Sequence, residues 1–521
     1  MRAAAVVGSM TMLSRLLGFT RDMLIAAVLG TGLVADAYFV AFKFPNLFRR
    51  LFAEGAFNSA FIPLFVRRLE GEGLAQAKTF AEEAFSLLFC ALLALTLIAE
   101  IAMPLAMYVM APGFSDTPEK FDLTVLLTRI AFPYLLFVSL VALYSGVLNS
   151  LGRFAAAAAA PALLNITLIC VLLVAPPASA DAGIMLAWGV AFAGLLQFLV
   201  LVWAAARNKF WLKLRMPRLT PNMRRLLKLG VPGLIAGGIT QVNLMIGSII
   251  ASLQDGAVSF LYYADRIYQL PLGVIGVAVG VVLLPELARR LRAGDHTGVQ
   301  SSQNRACEIS LFLTIPAAIA LIVIPYPIVS ALYERGAFNA ADSLATAKTL
   351  GAFALGLPAF VLIKVFSPAY FAREDTKTPM VYAGISIVLN SVGSLILVFV
   401  MGYVGIAIAT SVAAWLNAGL LIFTLKRKGE FIPDARLKKR LARICATSAL
   451  MGAFLFFANH PLKDAVERIF SSSHGAHLSS VLSLWVSLIL LIALGLGVFA
   501  LLAHLLDAAR LSELKASFKR R

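Results

Sequence analysis

Apolar residues run along this chain in long blocks, separated by short polar stretches. A helix needs roughly 20 predominantly apolar residues to cross ~30 Å of hydrocarbon. Blocks of at least that scale lie at about 4–29, 32–65, 80–110, 123–150, 155–177, 182–206, 223–252, 258–288, 303–333, 343–370, 378–400, 403–425, 440–459 and 479–507. The pattern predicts an all-α polytopic membrane protein with fourteen transmembrane helices.

Composition agrees. Of 521 residues, 60% are hydrophobic and 14% charged. A soluble domain is nearer ~45–50% and ~25%. The net charge of +18 would point to nucleic acid in a soluble protein. Here the basic residues gather between the blocks, so no nucleic-acid partner is expected. "VRRLEGEGLAQAK", "RNKFWLKLRMPRLTPNMRRLLK", "ARRLRAGDHTG", "REDTKTP", "KRKGEFIPDARLKKR" and the tail "LKASFKRR" fall on one side of the alternating helices. "APGFSDTPEKFD", "PPASADAG", "LQDG" and "MGYVG" fall on the other. The positive-inside rule makes the first set, and both termini, cytoplasmic. Arg2 and the first apolar run resemble a signal peptide, but Arg15 interrupts the run and no convincing small-residue cleavage site follows. The block reads as a retained first helix.

The chain also carries signs of a duplication. Pro63, Arg67, Arg68 and Leu69 match Pro285, Arg289, Arg290 and Leu291 at a shift of 222 residues, and Gly8 matches Gly230 at the same shift. Two related halves follow, about 1–215 and 222–426, each with six helices. An even number gives both lobes the same orientation, as in transporters whose parallel repeats rock about a site near the midplane. Residues 437–507, with the last two helices, and the basic tail 508–521 lie outside the repeat.

Charges inside the blocks are the candidate chemistry, because each costs at least ~2.5–3.5 kcal/mol at the centre of a bilayer. Arg15 lies ~16 Å into the first helix and Arg21 ~9 Å further. Either they line a polar cavity or they are structural, paired with an acid such as Asp22 or Asp36. The second block adds Lys43, Arg49, Arg50 and Glu54, with Pro45 breaking its bonding. The eighth carries Asp265 and Arg266, followed by Gly273, Gly276 and Gly280, spaced for close helix packing. Lys364 in the tenth is either a cavity cation or an ion-pair partner. Cations outnumber acids on helices one, two and eight. A cavity they line suits an anion, and guanidinium forks suit phosphate oxygens.

Other chemistries lack their residues. No phosphate-binding G-x-x-x-x-G-K-[ST] loop, zinc-protease signature or nucleophile elbow is present. Cys90, Cys170, Cys307 and Cys445 are far apart and have no metal-ligand spacing. A transporter ranks above a membrane enzyme, and neither cofactor nor metal is expected.

"SMTMLSRLLGFTRD", "ADAYFVAFKFPNLFRRLFAEGAF", "APGF", "YYADRIYQLPLGVIGVAVG" and "DTKTP" resemble the MurJ (MviN) lipid II flippase family, a branch of the MOP exporter superfamily that includes MATE drug antiporters. The resemblance covers essentially the whole chain. It implies two six-helix lobes around a central cavity, and two C-terminal helices forming a groove for the lipid tail. It implies transfer of lipid II, the undecaprenyl-pyrophosphate-linked disaccharide-pentapeptide, from the cytoplasmic to the periplasmic leaflet of the bacterial inner membrane. The family's essential arginines map onto Arg15, Arg21, Arg49 and Arg266, and its important acids onto Asp36 and Glu54. Asp22, Asp265 and Lys364 are supporting candidates. Membrane lipid and other cell-wall synthesis proteins are further candidate partners. Some relatives bind sodium in the second lobe; that site is not assignable here. The alternatives are a flippase for another polyprenyl-linked oligosaccharide, a MATE-like multidrug antiporter, which would be expected to use acidic cavity residues, and a non-transporting scaffold.

Overall fold

The computed structural model describes residues 2–50, 57–471 and 476–507, and for 2–6, 57–59, 232–240, 242–244, 274–281, 471 and 476–481 the backbone alone. Among the described residues the chain is helical throughout. The elements are α1 (Arg2–Leu29), α2 (Leu33–Arg49), α3 (Phe57–Gly71), α4 (Leu74–Met110), α5 (Pro118–Ala131), α6 (Tyr134–Ser150), α7 (Ala155–Val174), α8 (Ala180–Arg207), α9 (Pro221–Ser252), α10 (Ala257–Arg292), α11 (His296–Val323), α12 (Pro325–Tyr333), α13 (Ala340–Ala354), α14 (Leu357–Phe371), α15 (Lys377–Met401), α16 (Tyr403–Arg427), α17 (Ala435–Ser471) and α18 (Ala476–Leu505). Helices α4, α7, α8, α11, α15, α16, α17 and α18, with the continuous pairs α5–α6 and α13–α14, make ten spans long and apolar enough to cross a membrane.

Several apolar blocks resolve into two helices. The fourth divides into α5 and α6 at Pro133, and the ninth into α11 and α12, where Pro325 opens the new helix. Proline has no N–H to bond the preceding turn, so such blocks bend where it stands. The basic stretch expected as a loop around residues 66–78 is mostly helical: α3 ends at Gly71 and α4 begins at Leu74. Its charges ride on helix ends. The thirteenth block, expected to end at 459, continues as α17 to Ser471 through Pro461.

The chain packs as two compact units. The first holds Met1–Ser259 with Arg335–Asn339, and the second holds Phe260–Glu334 with Ala340–Arg521. In the first, α7 packs on α1 and α8, α5 on α2 and α8, and α9 on α3 and α4. Phe61 stacks between Phe65 and Phe80, with Phe210 edge-on to Phe65. The stretch after α8 is laid on α4: Arg215 Nε donates to buried Glu82 at 2.6 Å, and Thr220 Oγ1 to Glu83 at 2.9 Å.

In the second unit α11 packs on α14 and α17, α14 on α16, and α17 on α18. Its core includes Leu311, Val365, Phe366, Tyr370 and Leu421. The start of α17 is pinned to α11 by charge. Glu308, buried on α11, pairs with Arg305, Arg436 and Arg440, and Arg305 also pairs with Asp434. Among the described residues nothing lies within 4 Å of where a Cβ at Gly273 would stand; the side-chain surroundings of Gly276 and Gly280 lie outside the described residues.

Candidate functional site

The charged groups of α1 and α2 do not share one arrangement. Arg15 is exposed on α1 and forms no ion pair among the described residues. Arg21, a little under two turns on, is buried. Its Nη2 and Nε donate to Asp22 Oδ1 at 2.7 and 3.1 Å, and its Nη1 donates to Asn165 Oδ1 on α7 at 2.9 Å. Asn165 Nδ2 in turn donates to the Ser14 carbonyl at 2.9 Å. A charged pair completed by a polar side chain is how a low-dielectric interior holds an arginine. The structural partner that the sequence left open for Arg21 is therefore Asp22.

Arg49 is half-buried at the end of α2, and its Nε donates to Asn46 Oδ1 at 2.9 Å. Asn46 Nδ2 donates to the Phe42 carbonyl at 3.1 Å, next to the backbone bond that Pro45 removes. The proline break and the arginine's position are thus connected through one amide. Lys43, between them, donates to Ser248 Oγ on α9. Glu54 lies outside the described residues.

Asp36 meets neither arginine. It sits in the first turn of α2, fully buried, and collects four donors. Lys120 Nζ reaches Oδ2 at 2.8 Å and the Gly256 N–H reaches it at 2.9 Å. The Ser259 N–H and hydroxyl reach Oδ1 at 2.9 and 2.6 Å. Lys120 is itself 2% exposed, lies 4.3 Å over the Phe114 ring, and makes a second bond to Asp255 at 3.1 Å. Sequence reasoning missed Lys120 by placing it in the loop "APGFSDTPEKFD"; the structure puts it in the first turn of α5. The available signal was a lysine on the side that the positive-inside rule leaves poor in them.

A second close contact between distant segments lies in the same unit. The Ala337 N–H donates to the Ala27 carbonyl at 2.8 Å, with a glycine on each side of the contact. Gly30 and Gly336 both have positive φ, and a Cβ would stand 2.5 Å from the Ala337 carbonyl oxygen and 2.2 Å from the Ala27 carbonyl oxygen, respectively. Only glycine permits both the backbone conformation and the approach.

In the second unit, Arg266 is half-buried with its guanidinium 4.7 Å over the Tyr262 ring. Asp265, its neighbour, accepts from Gln269. Lys364 is half-buried on α14. The "DTKTP" motif forms the entry to α15. The Thr378 N–H and hydroxyl donate to Asp375 at 2.9 and 2.8 Å and hold its carboxyl below the usual aspartate range, assisted by Lys428. No group of three or more metal-ligating side chains is found among the described residues.

Buried carboxylates held by donors from other elements, and arginines on long apolar helices, suit a membrane transporter. The chain resembles known proteins over its length. A family model described as Lipid II flippase MurJ matches residues 25–473. A probable lipid II flippase MurJ of Rhizobium meliloti (strain 1021) is 49% identical over 521 residues, covering 99% of this chain and 96% of that one. A solved lipid II flippase MurJ in an inward closed conformation superposes with a TM-score of 0.77 at 26% identity, covering 96% of this chain and 98% of that one. A multidrug resistance MATE family transporter in an inward-facing conformation matches with a TM-score of 0.62 at 14% identity, over 82% of this chain and 98% of that one; this likeness concerns the fold alone.

Proposed function

The chain belongs to the lipid II flippase MurJ family, and from that premise we propose how its residues move a lipid-linked peptidoglycan precursor across the bacterial inner membrane. It is a transporter and not an enzyme. The pyrophosphate of lipid II cannot enter hydrocarbon alone. Arg15, Arg21, Arg49 and Arg266 replace its water with charge-assisted bonds, while the polyprenyl tail stays in lipid beside α17 and α18. Asp22, Asp36, Glu54, Asp265 and Lys364 support or gate that passage.

Besides the ten apolar spans, α1, α2 with α3, α9 and α10 also cross the membrane, which makes fourteen. Two six-helix lobes, 1–215 and 222–426, alternate access, and both termini are cytoplasmic. Inside-negative potential drives an anion outward by ~2.3 kcal/mol per charge per 100 mV, which needs no nucleotide. Sodium coupling is a separate proposal and has no assigned ligands.

The observation that carries the gating part is Asp36, buried at the N-terminal end of α2 with every bond made to α5 or to residues 256–259. Each of those bonds can be exchanged for water. Such a cluster seals one face when formed and opens it when hydrated. The test is depletion: lipid II accumulates on the cytoplasmic side when the protein is withdrawn and clears when it is restored. Normal export during depletion refutes the reading. Orientation is tested by cysteines at Asp434 and Ser473, the latter outside the described residues. Only the second should react with an impermeant reagent added outside.

A further inference from the structure

A cavity of about 120 Å³ lies within the second unit between α12, α17 and α18. Its polar lining is Tyr326, Ser330, Asn459, His460, Lys463 and Ser487. Among the described residues no carboxylate lines it. Two lining residues already face carboxylates: Tyr326 donates to Glu334, and Lys463 lies 3.6 Å from Glu467 in a half-exposed pair of the kind that contributes little. Ser487 Oγ is buried and has no hydrogen-bond partner among the described residues. A pocket of donors, one a lysine, with a hydroxyl awaiting a partner, is built for an anion.

The remaining walls are apolar and include Leu484, Leu488 and Leu491. The level in the membrane is legible from the helices. On α17 the apolar run ends at Ala458 and gives way to "NHPLKD". On α18 the predominantly apolar sequence begins at Val481, after Ser479 and Ser480, with Trp485 about one turn further on, a residue that favours the headgroup level. Phe456, Phe457 and Ile489, one or two turns deeper, are 64%, 74% and 59% exposed, as lipid-facing side chains are.

We propose that this pocket binds the phosphate of an anionic membrane lipid. His460, Lys463 and Ser487 hold the phosphate, and an acyl chain lies along Leu488 and Leu491. The orientation proposed above puts the site in the outer leaflet; the binding itself does not depend on it, nor on flipping.

The test uses the full chain in phosphatidylcholine vesicles containing phosphatidylglycerol with a photoactivatable acyl chain. Crosslinked peptides are mapped by mass spectrometry. The expected labels fall in 455–470 and 482–491. Ser487→Leu fills the cavity, and Lys463→Gln removes the charge. Each should cut labelling there about tenfold, the loss of a charge-assisted bond or more. Labelling of the lipid-exposed face of α15 at Val388 and Phe399 should be unchanged, which reports an intact fold. Equal labelling by a photoactivatable phosphatidylcholine, or undiminished labelling in both variants, overturns the proposal. So does displacement of the lipid by inorganic phosphate alone, which would make this a site for the free anion.

Discussion

Replacing Asp36 by asparagine tests the seal. The amide keeps one acceptor oxygen and turns an NH2 toward donors. Of Lys120 Nζ, the Gly256 N–H, the Ser259 N–H and the Ser259 hydroxyl, at least two then lose their acceptor. Lys120 also loses the nearer of its two counter-charges. Removing one partner of a buried pair costs ~3–5 kcal/mol. Asp255 stays 3.1 Å from Lys120, but its side chain is 91% exposed, so it restores only ~1 kcal/mol. The net cost to the closed cluster is therefore ~2–4 kcal/mol. At tenfold per 1.4 kcal/mol, the open fraction rises at least ~30-fold. The assay is labelling of a cysteine at Val258, which is 7% exposed, in a chain whose four native cysteines are alanine, with an impermeant reagent. Asp36→Asn should label at least ~30-fold faster than the parent. Asp36→Asn with Lys120→Met should label more slowly than Asp36→Asn alone, because no buried charge is left unpaired. A single variant within threefold of its parent, or a double variant as fast as the single, refutes the reasoning.

Arg21→Ala removes the guanidinium that bonds Asp22, which is 4% exposed, and should lower the amount of protein in the membrane; adding Asp22→Asn should restore that amount but not lipid II export, and full export would make Arg21 structural only. Arg15→Ala should leave membrane levels unchanged and abolish export, with Arg15→Lys recovering part of it, since lysine keeps the charge and loses the fork. Glu308→Ala removes the carboxylate that Arg305, Arg436 and Arg440 share; proteolysis between α16 and α17 should accelerate, and an unchanged cleavage rate sinks the pinning argument. Asp375 has a lowered folded pKa, so its contribution to the entry of α15 is complete above the unfolded value of ~3.9 and fades as pH falls through the lower folded value. Amide exchange at Thr378, corrected for intrinsic rate, should rise over that acid window in the parent and be flat in Asp375→Asn.

The sequence made the helices legible because hydropathy reports where lipid is, and lipid permits little but helix. It did not locate the ends of α17. Hydropathy stops at Ala458, whereas a helix needs only its own backbone bonds and continues through Pro461 to Ser471. Proline alone did not locate the breaks: α2 runs on through Pro45, whereas Pro325 opens a new helix, and only the structure separates the two cases. The charged residues that matter were visible as anomalies: Arg21, Asp36 and Arg266 each stand where a neutral residue would be cheaper. Their partners were not. Asp22 adjoins Arg21, but Asn165 is 144 residues away, and Lys120 is 84 residues from Asp36. Nothing local encodes such distances. Lys120 also had a bland explanation as a loop lysine, and that explanation concealed it.

The carboxylate of Asp36 has a consequence for how the chain is made. Its partners follow it by 84, 220 and 223 residues, so α2 must be synthesised and inserted long before any of them exists. During that interval the acid has only water and headgroups to solvate it, and its place in the first turn of α2 keeps it near both. Inserting it there is cheaper than at mid-span, where Asp costs ~2.5–3.5 kcal/mol. Desolvation falls due only when residues 256–259 arrive and the four bonds form together. Assembly of this cluster therefore runs from a hydrated early intermediate to a dry late one, with the carboxylate waiting on partners made more than 200 residues after it.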